Sequence, residues 1–232
     1  MTKREFFEQL DCRIAKYDLL SHPFYQAWNA GRLTREDLRK YGSEYFYHVE
    51  AFPFYLHEFG MRAEPEEVRR AVLANRNDEA GANGSRPHAE LWLDFVVGMG
   101  GERSTRSARK IPEVERLVGW FNEVARQGAP EQALAAFYAY ESQVPRVASK
   151  KARGLREMYG ADEKTCAYFV LHSTADVYHA RVWRHLLERF VEHDEAAADR
   201  ALQAAENAAH ALWTALDGIE RARAERAPLI LN

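Results

Sequence analysis

The sequence predicts an all-α protein, and three observations carry that reading. Alanine, leucine, glutamate and arginine are abundant while valine, isoleucine and threonine are sparse, which favours helix over strand. Apolar residues recur with helical spacing in nearly every segment. No stretch sustains the apolar/polar alternation of a half-buried strand bounded by turns. Residues 3–19 read as the first helix. Ser21-His22-Pro23 starts a short second one, with Pro23 in a first turn that needs no amide donor, and Gly31 ends it. Thr34-Arg35-Glu36-Asp37 is a cap followed by acidic first-turn residues, opening a long helix to about Phe59. Pro65-Glu66-Glu67 begins another that fades around Gly81, and GANGSRP is a loop. Pro87 opens a helix through His88 and Trp92 to about Val97. GMGGERSTRSARKIP, at 98–112, is the longest non-periodic stretch. Helices follow at 112–127, at 130–158 with an interruption near Pro145, at 162–192 and at 195–225. Without internal repeat or low-complexity linker, one helical domain over 1–232 is the simplest organisation.

Composition narrows the class of function. The chain has 232 residues, enough for a core that encloses a buried site. Hydrophobic residues make up 47% and charged residues 29%, an ordinary globular balance. A formal net charge of −3 gives no basic footprint for a nucleic-acid partner. No apolar run approaches the roughly 20 residues that span a bilayer, so no membrane partner is expected. The charged, amphipathic start MTKREFFEQLDCRIAKYDLL lacks a signal peptide's apolar stretch, and a cytoplasmic location is expected. Cys12 and Cys166 lack CxxC spacing, which excludes a zinc ribbon or thioredoxin-like motif. Both read as small buried hydrophobes, with a nucleophilic Cys166 as the alternative.

The sharpest chemical signal is His172-Ser-Thr-Ala-Asp176-Val-Tyr-His179. Positions i, i+4 and i+7 fall within about 60° on an α-helix. Tyr168 and Trp183 extend the stripe, while Arg181, Arg184 and Glu188 occupy the opposite side, so the His/Asp/His face points inward. A buried carboxylate needs a partner, and a metal ion or a hydrogen-bonded histidine can each provide it. Imidazole plus carboxylate suits iron, manganese or zinc. Two more helices add donors. Glu141 shares an otherwise apolar face with Leu134, Phe137, Val144 and Ala148, and His88 shares one with Leu91, Trp92 and Phe95. Glu79 ends a helix whose inward face includes Val68, Val72 and Asn75, with Asp78 and Glu90 as competitors for its role. Three carboxylates and three imidazoles on facing helices form the inventory of a non-haem dinuclear site that activates O₂.

HPFYQAWNAGRL, KYGSEYFYHVEAFPFYLHEF, PHAELW, FYAYESQVP and YFVLHSTADVYHARVW together resemble the haem-oxygenase-like dimetal oxidases. Within that family the likeness is to the branch of the chlamydial death-domain-associating protein, kin of pyrroloquinoline-quinone synthase and thiaminase II. It covers nearly the whole chain. The resemblance implies a seven-to-nine-helix haem-oxygenase-like bundle, usually a homodimer, holding a dinuclear iron or mixed iron/manganese site. It implies Glu79, His88, Glu141, His172, Asp176 and His179 as metal ligands, O₂ as co-substrate, and an external reductant whose identity the sequence does not give. It further implies synthesis of 4-aminobenzoate for folate biosynthesis, with an internal tyrosine as ring source and a lysine as amino donor. Tyr25 within HPFYQAW matches that tyrosine, and Tyr41, Tyr140 and Tyr168 match others in the family's pocket. Lys151 best matches the lysine, with Lys150 adjacent.

From the residues alone any one of these tyrosines reads first as a packing aromatic with a satisfied hydroxyl, and only the family match raises Tyr25 above the rest. Pro145 breaks the ladder that would fix the direction of Lys151 relative to Glu141, so a surface lysine is the default reading, with an inward amine made neutral and nucleophilic by desolvation as the alternative. The rival functions are a dimetal oxidase of an external small molecule, a metal-free thiaminase-like enzyme using Cys166, and a non-enzymatic interaction protein.

Overall fold

The computed structural model describes residues 1–104, 111–192 and 194–226, so residues 105–110 of the long non-periodic stretch lie outside the described residues. Among the described residues there are ten α-helices and no strand. They are α1 (Lys3–Ala15), α2 (Pro23–Asn29), α3 (Arg35–Arg62), α4 (Glu66–Glu79), α5 (His88–Gly98), α6 (Pro112–Gln127), α7 (Pro130–Glu141), α8 (Val144–Tyr159), α9 (Glu163–Val191) and α10 (Glu195–Ala224). Two 3₁₀ turns, Leu19–Ser21 and Ala82–Gly84, punctuate the connections.

Three boundaries differ from the sequence reading, each for a local reason. The first helix stops at Ala15 rather than near residue 19, because the Asp18 side chain accepts from the Leu20 amide at 3.1 Å and caps a 3₁₀ turn instead. The Thr34 cap forms as a reciprocal box with Asp37, and α3 then runs past Phe59 to Arg62. Arg62 donates to the Ala125 carbonyl at 2.9 Å, which ties that last turn to α6. The 130–158 segment is two helices, so the face drawn through Glu141, Val144 and Ala148 is not continuous. Ser142 and Gln143 separate them, and Pro145 sits in the first turn of α8, where its missing N–H is harmless.

Helix α7 lies along α10, with α9 on its other side; α8 packs on α9, and α3 packs on α4, α5 and α6. The buried residues of α7 include Ala133, Ala135, Ala136 and Ala139, and those of α10 include Ala201, Ala205, Ala208 and Ala209. Methyl side chains let two helix axes approach closely, which holds the helix of Glu141 firmly in the bundle. Trp28, Trp92 and Trp183 are fully buried among the aromatic rings of α2, α3 and α5 or beside the α7–α9 contact. No helix among the described residues is long and apolar enough to cross a membrane.

Candidate metal centre

The six acidic and imidazole residues singled out from the sequence fall into two buried groups. Glu79, His88 and His172 form one triad, and Glu141, Asp176 and His179 the other; within each, donor atoms lie within 4.8 Å of one another. Half of this set comes from helix ends. Glu79 is the last residue of α4, His88 the first of α5, and Glu141 the last of α7. The other three project from the middle of α9, on the inward stripe read from their spacing.

In the first triad His88 Nδ1 is 2.9 Å and His172 Nε2 3.7 Å from Glu79 carboxylate oxygens. In the second, His179 Nδ1 is 3.3 Å from Glu141 Oε1 and 3.4 Å from Asp176 Oδ1. Despite these short distances His88 Nδ1, His179 Nδ1 and Asp176 Oδ1 make no hydrogen bond of acceptable angle. Buried polar atoms left in that condition are costly, and a bound cation in each triad removes the cost. The donor set therefore fits two cations, and carboxylate plus imidazole suits iron or manganese.

Other residues aim the donors. Tyr168 O lies 2.8 Å from His172 Nδ1, leaving Nε2 to face Glu79. Asn75 Nδ2 donates to both oxygens of Glu141, at 3.0 and 3.3 Å, and Trp183 Nε1 donates to one of them. Burial alone would lower the two α9 imidazoles, but Asp176 and Glu79 outweigh it at His172, raising it to about 9. Asp176 and Glu141 do the same at His179, raising it to about 11. Burial pushes Glu79 up, yet His172 and His88 outweigh it and hold that carboxyl well below its ordinary value. Burial leaves Glu141 raised. Raised imidazoles beside buried carboxylates mark two places where positive charge is favoured.

The competitors for Glu79 now have their own places. Asp78 lies 3.4 Å from the outer nitrogen of His179, and Glu90 pairs with Arg103 at 2.8 Å. The connection to His88 depends on Gly81 at φ 70°, where an added Cβ would sit 2.4 Å from the Pro87 nitrogen. That turn folds the loop back tightly enough to bring Glu79 against His88.

A second polar cluster lies inside the bundle. Lys151 Nζ donates to the hydroxyls of both Tyr25 and Tyr41 at 2.7 Å, and the two hydroxyls are 2.9 Å apart. The surface reading of Lys151 is thus overturned. It sits on the buried face of α8 with Val144, Val147, Ala148 and Leu155, while Lys150 is exposed. Counting from Val144 instead of Glu141 would have found it. A cavity of ≈ 30 Å³ adjoins Lys151 and Tyr25, and Tyr45, Trp92, Tyr140 and Tyr168 also line it. Tyr168 stacks on His172 with ring centroids 4.0 Å apart, so this cavity borders the first triad. Cys166 is buried with its sulfur 4.0 Å from the Ala152 carbonyl, and burial pushes its thiol up, the opposite of an activated nucleophile.

Burial holds the Lys151 amine well below the ordinary lysine range, which favours the neutral form. The unfolded chain binds a proton there that the folded chain does not, so stability rises with pH between the lowered folded value and the unfolded value near ~10.4. In chemical denaturation at several pH values from 7 to 9, the wild-type slope is expected to be more positive than that of Lys151→Met by up to about 1.4 kcal/mol per pH unit, the difference isolating the lysine from the raised His172 and His179, whose contributions run the other way. Equal slopes in the two proteins would rule it out.

A family model described as "iron-containing redox enzyme", of haem-oxygenase type, matches residues 39–213. The chain belongs to that family. Among relatives of this redox enzyme, a protein of Nitrosomonas europaea named 4-aminobenzoate synthase is 37% identical over 230 residues, covering 94% of this chain and 92% of its own. The 4-aminobenzoate synthase of Chlamydia trachomatis is 36% identical over 214 residues, covering 91% and 90%. A solved Shewanella denitrificans domain of unknown function with a haem-oxygenase-like fold superposes with a TM-score of 0.80 at 18% identity, covering 97% of this chain and 94% of its own. The fold is therefore the haem-oxygenase-like bundle, and the two triads are its candidate iron-binding residues.

Proposed function

We propose that this redox enzyme makes 4-aminobenzoate for folate biosynthesis, taking the aromatic ring from its own Tyr25 and the nitrogen from Lys151. The observation that carries the reading is the contact of Lys151 Nζ with Tyr25 Oη, 2.7 Å apart in a buried cavity beside the first triad. Relatives at 36% and 37% identity bearing the name 4-aminobenzoate synthase support it. A dinuclear iron or mixed iron/manganese pair held by Glu79, His88 and His172 and by Glu141, Asp176 and His179 would supply O₂-dependent oxidation, with electrons from an external reductant. The chain's own residues do the rest. Tyr41 and Lys151 fix the Tyr25 phenol by hydrogen bonds, and Tyr140 and Tyr168 line the cavity beside it. Apolar and aromatic neighbours keep bulk water from the amine, and desolvation favours its neutral, nucleophilic form. The reading includes a homodimeric, cytoplasmic enzyme without nucleic-acid or membrane partner, as the family resemblance implies.

A second reading keeps the metals and oxidises an external small molecule. The cavity favours the internal source: ≈ 30 Å³ has room for a water or two, whereas an aromatic molecule the size of benzene needs about 150 Å³. Intact-mass spectrometry decides between them. Chains that have formed product are expected to have lost the Tyr25 side chain, with no more than one product per chain. Product in molar excess over protein, or an unmodified Tyr25 in spent chains, would establish the external substrate.

A further inference from the structure

The last turn of α4 serves both triads. Asn75, Asp78 and Glu79 stand at i, i+3 and i+4, on one helical face. Glu79 belongs to the first triad. The other two reach the second triad, to which α4 contributes no member. Asn75 is 3% exposed, and its amide donates to both oxygens of Glu141 at 3.0 and 3.3 Å. Asp78 is about half exposed, and its Oδ2 lies 3.4 Å from His179 Nε2. The opposite ring nitrogen of His179, Nδ1, is the one that faces Glu141 and Asp176.

We propose that Asn75 and Asp78 are positioning residues that determine whether a divalent cation is held by Glu141, Asp176 and His179, independently of the first triad. The assignment rests on reading the two triads as a metal centre. A neutral histidine that offers Nδ1 to a cation carries its proton on Nε2, and Asp78 is placed to accept that N–H. Asn75 orients Glu141 without neutralising it, leaving the carboxylate's charge for the cation. The first triad needs no such help from another helix for its α9 histidine, because the Tyr168 carbonyl of the same helix fixes His172 at 2.8 Å. Occupancy of the second triad thus depends on the register of α4 against α7 and α9, while the orientation of His172 is built into α9 itself.

The test measures cation content and affinity. Wild type, Asn75→Leu, Asp78→Ala and Asp78→Glu are loaded anaerobically with Fe(II) or Mn(II), desalted, and titrated against a competing chelator. Wild type is expected to hold two cations per chain. Asn75→Leu and Asp78→Ala should bind the second on the order of 10–100-fold more weakly, with the first unchanged. Asp78→Glu, which keeps a carboxylate, should restore the second. Circular dichroism of the metal-free proteins checks that they fold, and the exposed Asp78→Ala carries the test should Asn75→Leu misfold. Variants that retain both affinities within twofold, or lose both equally, overturn the assignment. A wild type that holds no cation overturns the metal-centre reading and this assignment with it.

Discussion

Tyr25→Phe is expected to abolish 4-aminobenzoate formation while leaving the fold and the two candidate metal-binding triads intact. The substitution removes one oxygen. Lys151 keeps its 2.7 Å contact with Tyr41, and the ring at position 25 keeps its edge contacts with Trp28 and Tyr41. Loss of the hydroxyl removes its two buried bonds, to Tyr41 and Lys151, which costs about 2 kcal/mol of stability, too little to unfold a domain of this size. Chemistry suffers far more, because a phenylalanine ring lacks the oxygen that makes the phenol readily oxidised and that holds it against the amine. Complementation of a 4-aminobenzoate auxotroph is the measurement, with bound metal per chain as the control. Full growth on Tyr25→Phe would move the assignment to the oxidase of an external molecule.

The second large effect is expected at Asp176. Its Oδ1 is buried and lacks a hydrogen bond, and it lies 3.4 Å from His179 Nδ1. Asp176→Ala takes one of two carboxylates from the second triad, and that triad should lose its cation. In the metal-free protein the change removes a buried charge together with part of what raises His172 and His179. The difference appears on loading. A cation at 100 times its Kd stabilises the wild type by about 2.7 kcal/mol per site, and the variant should lose the share due to the second site along with all product formation. Thermal unfolding with and without Fe(II), read beside elemental analysis, tests both halves. An Asp176→Ala protein that still binds two cations and shows the full thermal shift would dismiss the second triad as a metal site.

The α9 stripe was legible because one unbroken helix carries it. His172, Asp176 and His179 keep fixed angular relations whatever the rest of the chain does, and Arg181 and Glu188 mark the wet side. Glu79 was harder. Adjacent residues at a helix end differ by roughly 100° in direction, and only the tight turn at Gly81 determines that Glu79 rather than Asp78 meets His88. Lys151 could not be placed from Glu141 because the two-residue break at Ser142-Gln143 resets the helical phase. Its own helix carried the information, in Val144, Val147 and Ala148. The pairing of the six residues into two groups of three was beyond pattern reading, since it depends on how α4, α5 and α7 approach α9 in space.

Every residue that lines the small cavity beside Tyr25 is itself buried. An enzyme that draws its substrate from solution keeps a doorway open; a chain that carries its substrate in its own sequence can keep that space small and lined by buried side chains. Departure of the product must then wait for the wall to breathe. One edge of that wall is α2, a seven-residue helix that packs on α8 and α10 and is capped at its start by the His22 ring. The pace of release in such a molecule is governed by the free energy of a local opening rather than by affinity for a ligand, and the same closure shelters a half-finished aromatic from solvent until the reaction is done.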